Sequence, residues 1–461
     1  MKRLLSLFFV LVLGFSLTGC GEKLKPAMTY SEFMAAEADA EVVVEGFIVD
    51  KQGWWDNKVT MYLATNVPGE GYFIYELPCT EEENNTIYAI GECIHIEATK
   101  TIYAGEHEIM GDNITKVCTL TTQNFASVTP IDVTDKLASV EQYQNAYFTA
   151  TLEVVEFTTT DSDTTVSENK AWGYKGSEPN NDLYFTLSDG TNTLNCCVEV
   201  YLTGTNTKVY EDAQKLTIGD KVIVEGYLYW WNGANPHITS IIPSIMTYKE
   251  FMDAEDDQRV IVEGFVAAKQ SWWNNQVVVY LVGKTPGEGY LGYNLSCSEE
   301  ENNTLLAIGN YVRIFGYKGS YAEEEEIIDN DRIEVIETTD KPAEAIDLTN
   351  KLSSLMDYQN AYFTVTLTVK EYTTTDVNTG IADNRAYGYQ GETPTKDLYF
   401  ILTDGTNDLA CCVESYLTNK TTDVYAAVLG LNVGDKVKVT GYLYWWYGAN
   451  PHIISLEKVN A

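Results

Sequence analysis

Eight of the nine tryptophans stand in four adjacent pairs: Trp54 and Trp55 in GWWDN, Trp230 and Trp231 in YWWNG, Trp272 and Trp273 in SWWNN, and Trp445 and Trp446 in YWWYG. An indole is a wide, flat, amphipathic surface that can stack on a sugar or a base, or seat itself in a protein interface. Neighbouring residues on a strand point to opposite faces. One ring of each pair is therefore expected to pack inward, plugging a barrel end or cementing two domains. The exposed partner is expected to touch a ligand in at least two pairs. His237 and His452 follow two of the doublets in the repeated string ANPHI. Hydrogen bonding inside that hairpin is the favoured role for both, and contact with the same ligand is the alternative.

Other reactive chemistry is sparse. The four histidines form no Ser-His-Asp, Cys-His or metal-binding spacing with their neighbours, and no G-x-x-x-x-G-K-[ST] loop is present, so no catalysis is expected. Among 67 carboxylates no catalytic pair can be named. In DSDTTVSE, Asp161, Asp163 and Glu168 recur as Asp376, Asn378 and Asp383 of DVNTGIAD. Neither segment has the glycine and terminal glutamate of a calcium loop at the required places, so solvated polar loops are expected, with calcium the alternative and no other cofactor. Glu106 and Glu108, and their counterparts Glu324 and Glu326, read as exposed strand faces. Cys93 and Cys118 are replaced together, by Tyr311 and Ile336, in the later copy. Their joint loss suggests a disulfide between them, although two ordinary core positions would give the same pattern.

The N-terminus joins Lys2 and Arg3 to an apolar run from Leu4 to Leu17, too short to span a bilayer but suited to an export signal. It ends in Leu17-Thr18-Gly19-Cys20, which resembles the bacterial lipobox. That resemblance implies cleavage before Cys20 and lipid attachment to it, anchoring the mature chain to the outer face of the cell membrane or to an outer membrane. Loss of Lys2 and Arg3 takes the formal charge from −37 to −39. Such a surface repels nucleic acid and anionic lipid.

The elements that must position the tryptophans are repeated. MTYSEFMAAEADAEVVVEGFIVDKQGWWDN from Met28 returns from Met246, and DKLASVEQYQNAYFTATL from Asp135 returns from Asn350. Each long unit holds two runs of three strands, a short helix and a closing hairpin, the order of a small five-stranded barrel. Thr29 with Glu32, and Thr80 with Glu83, mark helix starts as capping boxes.

LSDGTNTLNCCVEV with IGDKVIVEGYL, and LTDGTNDLACCVES with VGDKVKVTGYL, resemble the strand 2 to 3 turn and the strand 4 entry of OB-fold domains. An all-β chain of four tandem OB-like barrels in a duplicated two-domain unit is the expectation. Its parts are a signal peptide at 1–19, an anchor linker at 20–27, barrels at 28–120, 131–243, 246–337 and 346–461, and linkers at 121–130 and 338–345. An immunoglobulin-like sandwich is the rival, but it leaves the helix before each last hairpin unexplained. OB-folds take ligands across strands 2 and 3, between the loops joining strands 1 to 2 and 4 to 5. The doublets fall in those loops, which implies aromatic lips on a groove. A glycan or a surface protein is the preferred ligand, a spacer with empty grooves is the second reading, and nucleic acid by fold analogy is the third.

Overall fold

The computed structural model describes residues 24–120 and 128–459. Cys20 and the leader, on which the anchoring expectation rests, lie outside the described residues. The chain divides into two units, Met1–Pro243 and Ser244–Ala461, with the break just ahead of Met246 where the repeat returns.

Each unit has a leading and a trailing half. In the C-terminal unit the leading half is a closed ring of five strands, Arg259–Lys269, Gln276–Val282, Gly289–Ser296, Tyr311–Tyr321 and Glu324–Val335. They pair in the order 1-2-3-5-4, with strands 3 and 5 parallel. A capped helix, Glu299–Thr304, precedes strand 4. The trailing half repeats the order with Tyr362–Lys370, Leu398–Thr403, Asp408–Val413, Lys436–Tyr442 and His452–Lys458, closed by pairing of strands 1 and 2. Its counterpart in the N-terminal unit uses Tyr147–Val155, Leu183–Ser188, Thr193–Val198, Lys221–Tyr227 and His237–Pro243. Three of the four expected rings thus close through hydrogen bonds.

The fourth differs. Strands Glu41–Lys51, Lys58–Ala64, Gly71–Pro78 and Cys93–Thr99 are laid out in the same way, but the last strand is split into Glu106–Met110 on strand 3 and Ile114–Thr119 on strand 4. The split falls at Gly111, which lies so close to the Glu76 carbonyl that a Cβ there would stand 2.2 Å from it. Strand 4 is interrupted as well, at Lys100; its continuation Thr101–Tyr103 pairs with Glu106–Met110 while Cys93–Thr99 pairs with Ile114–Thr119, so no unbroken ladder of strands 4 and 5 closes the sheet.

Alternation along the strands builds the cores. Val42, Val44, Ile48, Val59, Met61 and Leu63 point into the leading N-terminal half, and Leu183, Phe185, Leu187, Leu194, Cys196 and Val198 into the trailing one. The capping boxes are formed as read: Thr29 Oγ1 accepts from the Glu32 amide at 3.2 Å while Glu32 Oε2 accepts from the Thr29 amide at 2.8 Å. Lys100 serves the far end of this short helix, its buried ammonium donating to the carbonyls of Phe33 and Ala36 at 2.6 and 2.7 Å. Thr29→Ala should cost about 1 kcal/mol of stability, read from the urea midpoint at unchanged slope.

Candidate functional site

The two leading doublets are built alike. Trp55 and Lys58 exchange backbone hydrogen bonds at 3.1 and 2.9 Å across Asp56 and Asn57, both left-handed at φ 47° and 59°. Trp273 and Gln276 do the same across Asn274 and Asn275. These are two-residue hairpin turns of the I′ kind, for which Asn and Asp are suited because they tolerate positive φ. One ring of each pair is anchored. Trp54 and Trp272 pack on the leading cores, and each indole N–H donates at 3.0 Å to a carbonyl, of Cys79 and Cys297. The other is offered to solvent, with Trp55 72% and Trp273 75% exposed.

The strand 2 and 3 face behind these tips is covered. In the N-terminal unit Tyr62 and Phe73 lie side by side on that face, and the trailing barrel lays Tyr227 and Tyr229 across them. Tyr62 stacks on Tyr227 with ring centres 4.2 Å apart, and Phe73 meets Tyr229 at 5.3 Å. In the C-terminal unit Tyr280 meets Tyr442 at 4.8 Å. Gly71 and Gly289 let the backbones close up, since a Cβ on either would stand 2.3 Å from the carbonyl of Asn145 or Asn360. The groove expected to hold a ligand in each leading half is therefore filled by the trailing half of its own unit.

His237 and His452 belong to this junction, bonding across to the leading half and not inside their own hairpin as expected. Each is buried, and Nδ1 pairs with the hydroxyl of Tyr62 at 2.9 Å or of Tyr280 at 2.6 Å. Burial pushes both imidazoles down to about 3, so they are neutral.

The trailing doublets close the same junction. The Trp230 amide donates to Glu106 at 2.7 Å, and the Trp230 ring lies against Gly105 of the leading strand 4 to 5 turn. Trp445 repeats the bond to Glu324 at 2.6 Å and is only 5% exposed. Trp231 and Trp446 stay half exposed, meeting Tyr103 and Tyr321 at 5.4 and 5.5 Å. The packing role expected of one ring per pair is therefore observed at all four doublets.

Glu106, Glu108, Glu324 and Glu326 are buried, not the exposed strand faces expected of them. An alternating strand looks the same in sequence whether its polar face meets water or another barrel. Burial pushes Glu106 up to about 8 and Glu108 and Glu326 to about 7, and raises Glu324 as well. Glu199 and Glu414 rise to about 7 for the same reason, while accepting from Gln52 and Gln270 of the leading loops at 3.1 and 3.2 Å.

The remaining candidates fall away. Asp161 turns its carboxylate on its own loop, accepting from the Asp163 amide at 2.9 Å and the Thr164 hydroxyl at 3.0 Å, and Asp376 does likewise with Asn378 and Thr379. Glu168 and Asp383 join neither set of bonds, and among the described residues no three His, Cys, Asp or Glu side chains form a metal group. Cys93 and Cys118 are not cross-strand partners. Cys118 stands opposite His95, which leaves Cys93 at the diagonal position. The Cys93 thiol is instead pushed up to about 11 by burial.

Several contributors were not singled out in the sequence: Tyr62, Tyr227, Tyr103 and Tyr201 with their counterparts Tyr280, Tyr442, Tyr321 and Tyr416. Their signal was available as tyrosines recurring at matched positions of both units.

No family model and no curated protein matches the chain. Among solved structures it is similar to the p204 HINb domain, at 10% identity over 45% of this chain and 100% of that one, with a TM-score of 0.23. A murine DNA binding protein bound with ds DNA matches at 9% identity over 44% of this chain and 97% of that one, TM-score 0.23. A replication protein A heterotrimer bound to ssDNA matches at 10% over 91% of this chain and 94% of that one, TM-score 0.18. Scores this low leave the barrel assignment to the strand order itself.

Proposed function

We propose that this is a non-catalytic binding protein, held at the cell envelope through a lipidated Cys20, that presents aromatic platforms to a glycan. The observation that carries the reading is the pair of solvent-facing rings, Trp55 and Trp273, each fixed on a rigid two-residue turn and each beside an anchored neighbour. The trailing half carries a second exposed ring on the segment bonded to each leading loop. Gly53 donates to the Tyr201 carbonyl at 3.1 Å, which brings the Trp55 tip beside a short helix whose Tyr201 ring faces solvent, and Tyr416 is the exposed counterpart beside Gln270 and Glu414. Exposing a tryptophan is unfavourable, and doing so twice on matched turns is the arrangement of a stacking surface.

The strand 2 and 3 face of the trailing barrels supports the same choice by contrast. Thr186 and Asn195, hydrogen-bonded at 3.1 Å on strands 2 and 3, are replaced by Ile401 and Ala410 in the later unit. A ligand shared by both units would not be read there, whereas the exposed rings are kept. With 30 basic residues against 67 acidic ones, a stacking surface of this kind favours a neutral sugar face over a phosphate backbone.

A glycan array on the purified chain, run beside single-stranded oligonucleotides at two salt concentrations, tests the proposal. Binding to a neutral glycan that is lost in the Trp55→Ala, Trp273→Ala double variant, at an unchanged unfolding midpoint, is the expected result. A salt-sensitive oligonucleotide signal indifferent to both substitutions would replace the glycan reading with the nucleic-acid one.

A further inference from the structure

Around the trailing doublets the two units differ in a way that packing does not explain. In the N-terminal unit the turn opposite Trp231 is Ala104-Gly105, and Trp231 is followed by Asn232; Gly105 and Asn232 lie at φ 86° and 54°. Glycine and asparagine are the residues that accept such angles at least cost. In the C-terminal unit the same two positions hold Glu323 at φ 69° and Tyr447 at φ 49°. A tyrosine in the left-handed region is an outlier, and such strain persists where a side chain has a task. Burial does not compensate it, since Tyr447 is 74% exposed.

The substitutions have a common geometric result. Trp446 meets Tyr321 at 5.5 Å between ring centres and 66° between planes, and Tyr447 at 5.8 Å and 79°. Two exposed rings standing at steep angles to a third form an aromatic corner centred on Trp446. The Tyr447 amide donates at 2.7 Å to the carbonyl of Ala322, as the Asn232 amide does to Ala104 in the N-terminal unit, so in both units the two turns are pinned together; only here does an exposed carboxylate, Glu323, follow the pinned alanine. The N-terminal unit has only the two-ring version, Tyr103 and Trp231 at 5.4 Å and 66°, with no carboxylate at Gly105.

We propose that the Tyr321, Trp446, Tyr447 corner binds a quaternary ammonium group, with the ring faces supplying cation–π attraction and Glu323 the counter-charge. Ring faces carry negative electrostatic potential, and aromatic corners are suited to a methylated cation that has no N–H to satisfy. The formal charge of −37 draws such cations toward the chain. The site shares no residue with the Trp55 and Trp273 platforms and does not rest on the glycan reading.

The full chain labelled with 5-fluorotryptophan reports the site by ¹⁹F NMR, the Trp446 signal being identified by its loss in Trp446→Phe. Choline chloride is titrated against 3,3-dimethyl-1-butanol, its neutral isostere. The expected result is a saturable shift of the Trp446 signal with choline and none with the isostere. Tyr447→Asn restores the residue its backbone favours and so folds; it should weaken binding about two- to fivefold, the worth of one exposed cation–π contact. Val377→Ala, at an exposed loop residue of the same unit, should leave the titration unchanged. No shift, an equal response to the isostere, or an unaltered affinity in Tyr447→Asn or a changed one in Val377→Ala would each overturn the assignment.

Discussion

Acidification from pH 8.5 to about pH 5 is expected to raise the thermal midpoint of both units, by on the order of 10 °C, with the midpoint falling again at lower pH. The cause is the set of carboxyls buried at the two junctions. Glu106, Glu108 and Glu199 in one unit, and Glu324, Glu326 and Glu414 in the other, all titrate above the ordinary glutamate range because burial disfavours their charged forms. Asp50, beside the Tyr227 hydroxyl, is pushed up to about 6. A carboxyl raised in the folded state holds its proton where the unfolded chain has released it. Its contribution is therefore complete below the unfolded value near 4.5 and is lost as pH rises through the folded values near 7 and 8. His237 and His452 act in the opposite sense. Pushed down to about 3, they favour the folded chain above 6.5 and oppose it as pH falls from there. Three glutamates outweigh one imidazole in each unit, so the net change between pH 5 and 8 follows the carboxyls and amounts to about 2 kcal/mol per unit, at on the order of 1 kcal/mol per group. Differential scanning calorimetry across this range checks it. A midpoint that climbs steadily toward pH 8 would mean that the carboxyls are ionised and compensated in place.

The barrels could be read from the sequence because their signals are local. A capping box spans four residues, and a strand that buries every second side chain shows its period within six, so Thr29 with Glu32 and DLYFTLSDGTNTLNCCV were legible where they stand. Even the strand split at Gly111 concerns one position, although the close approach of the Glu76 carbonyl there is invisible in a linear string. The junction was not legible because its partners are far apart: Tyr62 and His237 are 175 residues apart in the chain. Nothing near either residue says that two barrels will press together there. The same blindness misassigned Glu106 and Glu108, and it turned a groove expected to be open into one filled from within. What survives of the aromatic reading is the pair of tips at Trp55 and Trp273, whose turns depend only on Asp56, Asn57 and their counterparts Asn274 and Asn275.

The division of labour within each doublet gives the second large expectation. Trp445→Ala should destabilise the C-terminal unit by about 3–5 kcal/mol, the usual result of deleting a buried large aromatic side chain, while Trp446→Ala should cost under about 1 kcal/mol. Trp445 belongs to the trailing core with Leu443 and Leu456, and its amide is bonded to Glu324 across the junction. Loss of its ring therefore leaves a cavity where the two halves meet. The indole N–H of Trp445 is buried with no hydrogen-bond partner among the described residues. That makes Trp445→Phe informative: it gives up part of the ring area but also removes an uncompensated polar group, so its cost should fall well below that of the alanine variant. Urea denaturation of the three variants separates these contributions. If Trp445→Ala and Trp446→Ala cost the same, the doublet is not one anchor and one exposed ring but two equivalent surface residues. If Trp445→Phe matches Trp445→Ala, the indole nitrogen has found a partner, and the junction is held there by a hydrogen bond rather than by packing alone.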